Sequence, residues 1–275
     1  MKVVVTGASG FVGRALLARL AAAGLETCGV SRSPGADLLQ VASYADSPAG
    51  DVLVHLAEDS DRGRVNALGE AYVESAVRTT QALLQRGYAM VIYVSSSTLY
   101  GDQTIHPLAA DAPTLARDAY ARAKLLCEKT VLEHRGLVIR FSNLYGPGMA
   151  GNNVLSDILS QLSGEGPLVV QDDSPVRDFL WIGDAVDLIL KAIERKLAGV
   201  INGGSGTGTS IRELARLILT LAGQATRPVH ARQRGDTPSV NVLDISETMK
   251  LAHWSPATPL KSGIGLLLQS RPIAD

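Results

Sequence analysis

Tyr120 and Lys124 stand four residues apart in Tyr120-Ala-Arg-Ala-Lys124. On a helix that spacing places both on one face. A phenol with its ordinary pKa near ~10 is a poor acid or base at neutral pH. An ammonium one turn away favours the phenolate, so the pair is suited to passing a proton under mild conditions. The same lysine can hold a cofactor ribose. Upstream, Val94-Ser-Ser-Ser-Thr-Leu-Tyr-Gly101 leaves an apolar stretch with a cluster of hydroxyls. Such a hydroxyl can hydrogen-bond a substrate carbonyl and share the transferred proton. Taken alone, a Tyr-x-x-x-Lys spacing also describes an exposed pair with no chemistry.

Gly7, Gly10 and Gly13 add a second kind of signal, in Val5-Thr-Gly-Ala-Ser-Gly-Phe-Val-Gly13. They fall where a short β-branched run gives way to a helical pattern. One glycine permits a tight turn, one lets backbone N–H groups approach a pyrophosphate, and one lets helix pack close to strand. The helix N-terminus then offers partial positive charge to an anion. The spacing is Gly-x-x-Gly-x-x-Gly rather than Gly-x-Gly-x-x-Gly. A purely structural glycine turn is the competing explanation.

These residues need a frame that brings them together. Strands are predicted at Lys2–Val5, Glu26–Ser31, Val52–Leu56, Met90–Ser95 and Gly136–Phe141. Helices are predicted at Arg14–Ala23, near Glu70–Arg86 and near Ala116–His134. The alternation predicts an α/β fold, a Rossmann-type doubly wound parallel sheet. Tyr72, Ala76, Leu83 and Leu84 mark an apolar stripe on the second helix, and Leu125, Leu126 and Val131 mark one on the third. Such stripes either pack on the sheet or meet a second copy in a homodimer.

After Phe141 the rhythm changes. Asn143-Leu-Tyr-Gly-Pro-Gly148 and Gly151-Asn-Asn153 are turn chemistry. Helices are expected near Val154–Leu162, at Ala185–Lys196 with Asp184 as its cap, and at Ser210–Leu221. Ser210 and Glu213 match a capping box there. Val200–Asn202 reads as one more strand. Residues 1–150 are therefore expected to form the cofactor-binding domain, with segments near 176–204 returning to it. Residues 151–275 are expected to be mainly a smaller C-terminal substrate-binding lobe.

Bulk properties narrow the classes. The 275 residues are 46% hydrophobic, which suffices for a full core. The formal net charge is −1, so no nucleic-acid partner is indicated. The two cysteines, Cys28 and Cys127, lack metal-ligand spacing and read as free thiols in a reducing cytoplasm. No apolar run reaches the ~18 residues that span a bilayer. No signal peptide is expected ahead of the first strand, and the expected location is cytoplasmic.

Taken together, the motifs resemble the extended short-chain dehydrogenase/reductases of the NAD(P)-dependent nucleotide-sugar epimerase/dehydratase family. The likeness runs nearly end to end. It includes Thr6-Gly-Ala-Ser-Gly-Phe-Val-Gly13, Asp37-Leu38, Val54-His-Leu-Ala57, Ser95-Ser-Ser, Tyr120/Lys124 and Arg140-Phe-Ser-Asn-Leu-Tyr-Gly-Pro-Gly148. It continues through Arg177-Asp-Phe179, Gly183-Asp184, Asn202-Gly-Gly-Ser-Gly206, Arg234-Gly-Asp236, Asp244 and Trp254-Ser-Pro256. The resemblance implies NAD or NADP in the N-terminal domain and a nucleotide-diphosphate sugar beneath the C-terminal lobe. It implies Ser96 as the catalytic hydroxyl, four residues before Tyr100, acting with Tyr120 and Lys124. It implies cofactor contacts from Gly7, Gly10, Phe11, Val12, Gly13, Ser31, Arg32, Asp37, Leu38, Leu56, Ala57, Ser95, Tyr120, Lys124 and Phe141. It implies substrate contacts from Ser97, Thr98, Asn143, Arg177 and Arg234. His55 reads as a packed core residue, and His106 as a loop residue near the substrate.

Several departures refine the expectation. Ser31-Arg32 stands where NAD-preferring relatives end the second strand on an acidic residue, which favours NADP(H) while leaving NAD(H) open. Ser97-Thr98 stands where sugar 4,6-dehydratases carry Asp-Glu, which disfavours dehydration. Thr98 also stands where a fucose-synthase type epimerase-reductase carries cysteine. Ala76 lies where relatives often have asparagine, and Gln233 occupies an offset that relatives fill with arginine. The stretch between Arg32 and Asp37 is short, as in compact sugar 4-ketoreductases. The expected activity is reduction of a nucleotide-linked 4-keto sugar. A 4-epimerase using the same three residues is the alternative, and a non-catalytic cofactor-sensing protein is a third.

Overall fold

The computed structural model describes residues 1–101, 107–233, 235 and 239–270. Its seven-stranded sheet is parallel throughout. The first five strands are β1 (Lys2–Thr6), β2 (Glu26–Ser31), β3 (Leu38–Gln40), β4 (Val52–His55) and β5 (Met90–Ser96). β6 (Leu137–Phe141) follows, and β7 (Asn143–Tyr145), β8 (Leu168–Val170) and β9 (Val176–Trp181) lie outside this sheet. β10 (Gly199–Gly203) returns and pairs with β6, giving the order β10-β6-β5-β4-β1-β2-β3.

Side chains alternate across each strand, and the two faces bury different helices. Val3 and Val5 join Leu16 and Leu20 of α1 (Phe11–Ala22) on one face. Val4 joins Val73 and Leu83 on the other. That second face carries α3 (Glu70–Leu84) and α4 (Ala119–Glu133), preceded by the short α2 (Arg62–Leu68). A buried aliphatic side chain of this kind contributes roughly 1.5–3 kcal/mol. The apolar stripes on α3 and α4 are largely spent here: Ala76, Leu83 and Val131 are buried against the sheet, and Leu126 remains 44% exposed.

The remaining elements are α5 (Val154–Ser160), α6 (Ile182–Arg195), α7 (Ile211–Leu221), α8 (Ser246–Ala252) and α9 (Leu260–Gln269), with β11 (Gly208–Ser210), β12 (Val229–Ala231) and β13 (Val240–Asn241). β9 is the spine of a small mixed sheet, flanked by β7, β11 and β13. Leu155, Ile158, Phe179, Leu214 and Ile218 form a separate core around it. The capping box at Ser210 and Glu213 is present.

Asp184 departs from expectation. α6 begins at Ile182, so Asp184 lies inside its first turn rather than at the cap. Its carboxylate instead accepts the Thr258 N–H at 3.0 Å and the Thr258 hydroxyl at 3.3 Å. Helix α4 also starts later than expected, at Ala119, because Asp118 caps it by accepting the Ala121 N–H. Cys28 and Cys127 are free thiols. Among the described residues, no helix is long and apolar enough to cross a membrane.

Candidate active site

Gly7 opens the turn after β1 at φ +71°, a left-handed conformation that favours glycine. A Cβ there would lie 2.8 Å from the Leu56 carbonyl carbon and 2.9 Å from the Ala57 nitrogen, beyond β4. At Gly13 a Cβ would strike the Ala8 Cα at 2.7 Å, so α1 is drawn tight against the turn. Gly10 precedes α1 and no side chain caps the helix. Gly7, Gly10, Phe11, Val12 and Gly13 line a cavity of about 770 Å³. The uncapped start of α1 therefore presents its partial positive charge along the wall of a space of ligand size.

Leu56, Ser95, Ser96, Tyr120, Lys124 and Phe141 line the same cavity. The Ser95 hydroxyl is buried and has no hydrogen-bond partner among the described residues. An orphaned hydroxyl, a glycine cradle and an uncapped helix together fit a dinucleotide with its phosphates at α1. Ser31, Arg32, Asp37, Leu38 and Ala57 lie off this wall. Leu38 packs against Gly29 and Gly35, and Asp37 is exposed at φ +58°. Ser31 is fully buried and donates to the Ser9 hydroxyl, while Arg32 is exposed with its guanidinium 5.4 Å from the centre of the Tyr44 ring.

Tyr120 sits in the first turn of α4, and α2 fixes that turn in place. The Tyr120 N–H donates to Asn66 at 3.0 Å. Asp118 accepts from Arg62 at 2.6 Å and from the Asn66 amide at 3.1 Å. Burial works against the charge of Asp118. The Ala121 N–H, Arg62 and Asn66 outweigh it and hold the carboxyl below its ordinary range. Ser96 ends β5, half-buried, with its Oγ 2.9 Å from the Thr98 hydroxyl.

A second, smaller cavity adjoins the first. Ser97, Thr98, Tyr120, Asn143, Arg177 and Asn241 line it, with Arg62 and Arg117. Tyr120, Thr98, Asn143 and Arg62 belong to both walls. Arg177 donates to the Ser239 carbonyl at 2.9 Å and to its hydroxyl at 2.7 Å, and Asn143 donates to the Asp178 carbonyl. Arg234 and His106 lie outside the described residues. His55 is buried, with its ring nitrogens toward Thr6 and Thr80, as a core residue should be.

Glu58 was not among the expected site residues, and it lines the larger cavity. Its Oε2 receives the Lys124 ammonium at 3.0 Å, and its Oε1 receives the Tyr93 hydroxyl at 2.5 Å. Lys124 also donates to the Val94 carbonyl at 2.9 Å. Burial penalises both charges, yet each ion holds the other charged: Glu58 below its ordinary range and Lys124 above its own. The sequence signal was slight, a carboxylate directly after Val54-His-Leu-Ala57.

The chain resembles known proteins over its whole length. The model of the NAD dependent epimerase/dehydratase family matches residues 3–204. A dTDP-L-rhamnose 4-epimerase of Burkholderia thailandensis is 27% identical, over 97% of this chain and 93% of that one. A UDP-glucose 4-epimerase of Mycolicibacterium smegmatis is 28% identical, over 96% of each. The solved structure of RMD from Pseudomonas aeruginosa complexed with NADPH superposes with a TM-score of 0.86 at 27% identity, covering 98% of this chain and 97% of that one.

Proposed function

The chain belongs to the NAD dependent epimerase/dehydratase family, and from that premise we propose that it is an NADPH-dependent reductase of a nucleotide-linked 4-keto sugar. The observation that carries the reading is the place of Tyr120. It forms part of both the cavity that fits a dinucleotide and the arginine-lined cavity beside it. A group there can reach a substrate atom that faces the cofactor. The bound nicotinamide cofactor supplies the hydride. Tyr120 gives the proton to the carbonyl oxygen, and the Ser96 hydroxyl polarises that oxygen. Lys124 uses its third N–H on the cofactor ribose, the other two being directed at Glu58 and the Val94 carbonyl. Asn143 and Arg177 hold the sugar and its diphosphate, a task that suits a planar guanidinium.

Dehydration finds little support. Ser97 and Thr98 offer no carboxylate to take a ring proton. Of the acids lining the larger cavity, Glu58 is paired with Lys124, Asp59 with Arg64, and Asp61 caps α2 by accepting the Arg64 N–H. NADP(H) is favoured by an exposed Arg32 at the end of β2, where a carboxylate would repel a 2′-phosphate. The likeness to a structure that holds NADPH supports the same choice. A 4-epimerase is the second reading, favoured by the two curated relatives. We also place the protein in the cytoplasm, where its two free thiols are suited, and as a homodimer, the common symmetric assembly. A panel of nucleotide-linked keto sugars, scored for both cofactor loss and product stereochemistry, separates reductase from epimerase.

A further inference from the structure

The proton transfer described above leaves Glu58 without a task. Its side chain is only 7% exposed, on the wall of the cavity that Tyr120 also lines. A buried carboxylate is unfavourable unless it is paired and hydrogen-bonded. Glu58 meets both conditions through Lys124 and Tyr93.

The groups around it come from four elements. His55 of β4 is kept neutral, its pKa pushed down to about 4 by burial. Tyr93 of β5 and Tyr72 of α3 keep their protons, because burial pushes both phenols up. Burial pushes the Cys127 thiol of α4 up in the same way, to about 12. Tyr120, also on α4, interacts electrostatically with Lys124. Asp59, next in sequence, is paired outward with Arg64. Within this shell of described residues, the charge on the Glu58 side of Tyr120 is one anion and one cation in contact, while Arg62, Arg117 and Arg177 line the adjoining cavity, Arg62 being paired with Asp118.

We propose that Glu58 is a positioning residue: its carboxylate fixes the Lys124 ammonium and offsets the positive charge that Lys124 would otherwise present to Tyr120. The inference rests on Tyr120 as the proton-transferring group. An isolated ammonium beside a phenol favours the phenolate. A neutral pair does so far less. Lys124 therefore works here chiefly as a hydrogen-bond donor held at a fixed place.

The test is the pH profile of kcat/KM for NADPH-dependent reduction, in full-length wild type, Glu58→Gln and Glu58→Asp. Glu58→Gln leaves the ammonium uncompensated, so the alkaline fall-off moves to lower pH by about one unit. At a pH on that slope, the variant is about tenfold slower than wild type. Glu58→Asp retracts the carboxylate by one methylene and moves the fall-off the same way by less. It decides the matter if Glu58→Gln does not fold. An unmoved fall-off overturns the proposal, even where the rate drops equally at every pH, because a merely structural role would act that way. A wild type that consumes no NADPH but inverts a sugar centre refutes the reductase reading instead. The same variants are then profiled for epimerisation, where the acid limb moves to lower pH by a similar amount and an unmoved limb overturns the proposal.

Discussion

The Ser31 hydroxyl donates to the Ser9 hydroxyl at 2.8 Å, tying the end of β2 to the glycine turn. Ser31 is therefore occupied in shaping the cofactor end of the sheet, and the neighbouring Arg32 is left at the surface. On the proposed reading, the choice between NADPH and NADH falls to Arg32. A charge-assisted hydrogen bond to a 2′-phosphate is worth roughly 1.5–3 kcal/mol, or about one to two powers of ten in affinity. Arg32→Ala is expected to weaken NADPH binding by that factor and to leave NADH binding nearly unchanged. Titrations followed by nicotinamide fluorescence check both. Equal wild-type affinity for the two cofactors would reduce Arg32 to a charge stacked on Tyr44.

Tyr120→Phe removes the phenolic proton while keeping the ring and the α2 anchor, which reaches the backbone N–H of Tyr120. Turnover is expected to fall by ~10²-fold or more with NADPH affinity retained. Rapid-mixing kinetics beside a binding titration makes the comparison. Near wild-type turnover in this variant would remove Tyr120 from its role.

His55 links stability to pH. Its pKa is lowered from 6.5 to about 4, chiefly by burial. The unfolded chain thus takes up a proton near pH 6.5, while the folded protein resists it until about pH 4. Stability from the neutral ring is complete above the unfolded value and is lost as pH falls from 6.5 toward 4, up to about 3 kcal/mol in all. His55→Gln cannot protonate. Urea denaturation at successive pH values is expected to show its deficit relative to wild type shrinking on acidification. A deficit that stays constant across that window would contradict a buried neutral ring.

Assembly is tested by light scattering at micromolar concentration. The outward side of α4 keeps Leu126 exposed, while most of the apolar stripe on α3 and α4 is buried in the protein's own core. A dimeric mass is expected, lowered toward the monomer by Leu126→Lys. A monomer throughout the range would show that these helices serve only the sheet.

Much of this arrangement was legible because the residues concerned carry local constraints. Gly7 and Gly13 sit where backbone packs on backbone, and no other residue fits, so the strand-turn-helix start can be read from spacing alone. Tyr120 and Lys124 share a helix face, which periodicity reports directly. Glu58 was illegible for the opposite reason. An acid three residues past a strand usually points to water, and only the meeting of β4, β5 and α4 buries it against Lys124. Asp184 misled because a cap and a first-turn acid differ by three residues, and its partner Thr258 lies 74 positions away. Asn66 anchors Tyr120 from a helix of seven residues, too short to show a clear period. The short strands β3 and β7 escaped notice similarly, since three residues cannot display alternation.

If Tyr120 acts with a bound NADPH to reduce a keto sugar, the cofactor is oxidised and the sugar reduced, each with a net change, while Tyr120 is regenerated. The most direct measurement is the molar ratio of NADPH oxidised to sugar product formed, with the new stereocentre assigned by NMR. The reading predicts one NADPH consumed per product and a single configuration at the reduced carbon. Product that accumulates with no net loss of cofactor, as an equilibrium mixture of two epimers, would contradict it and establish the epimerase instead.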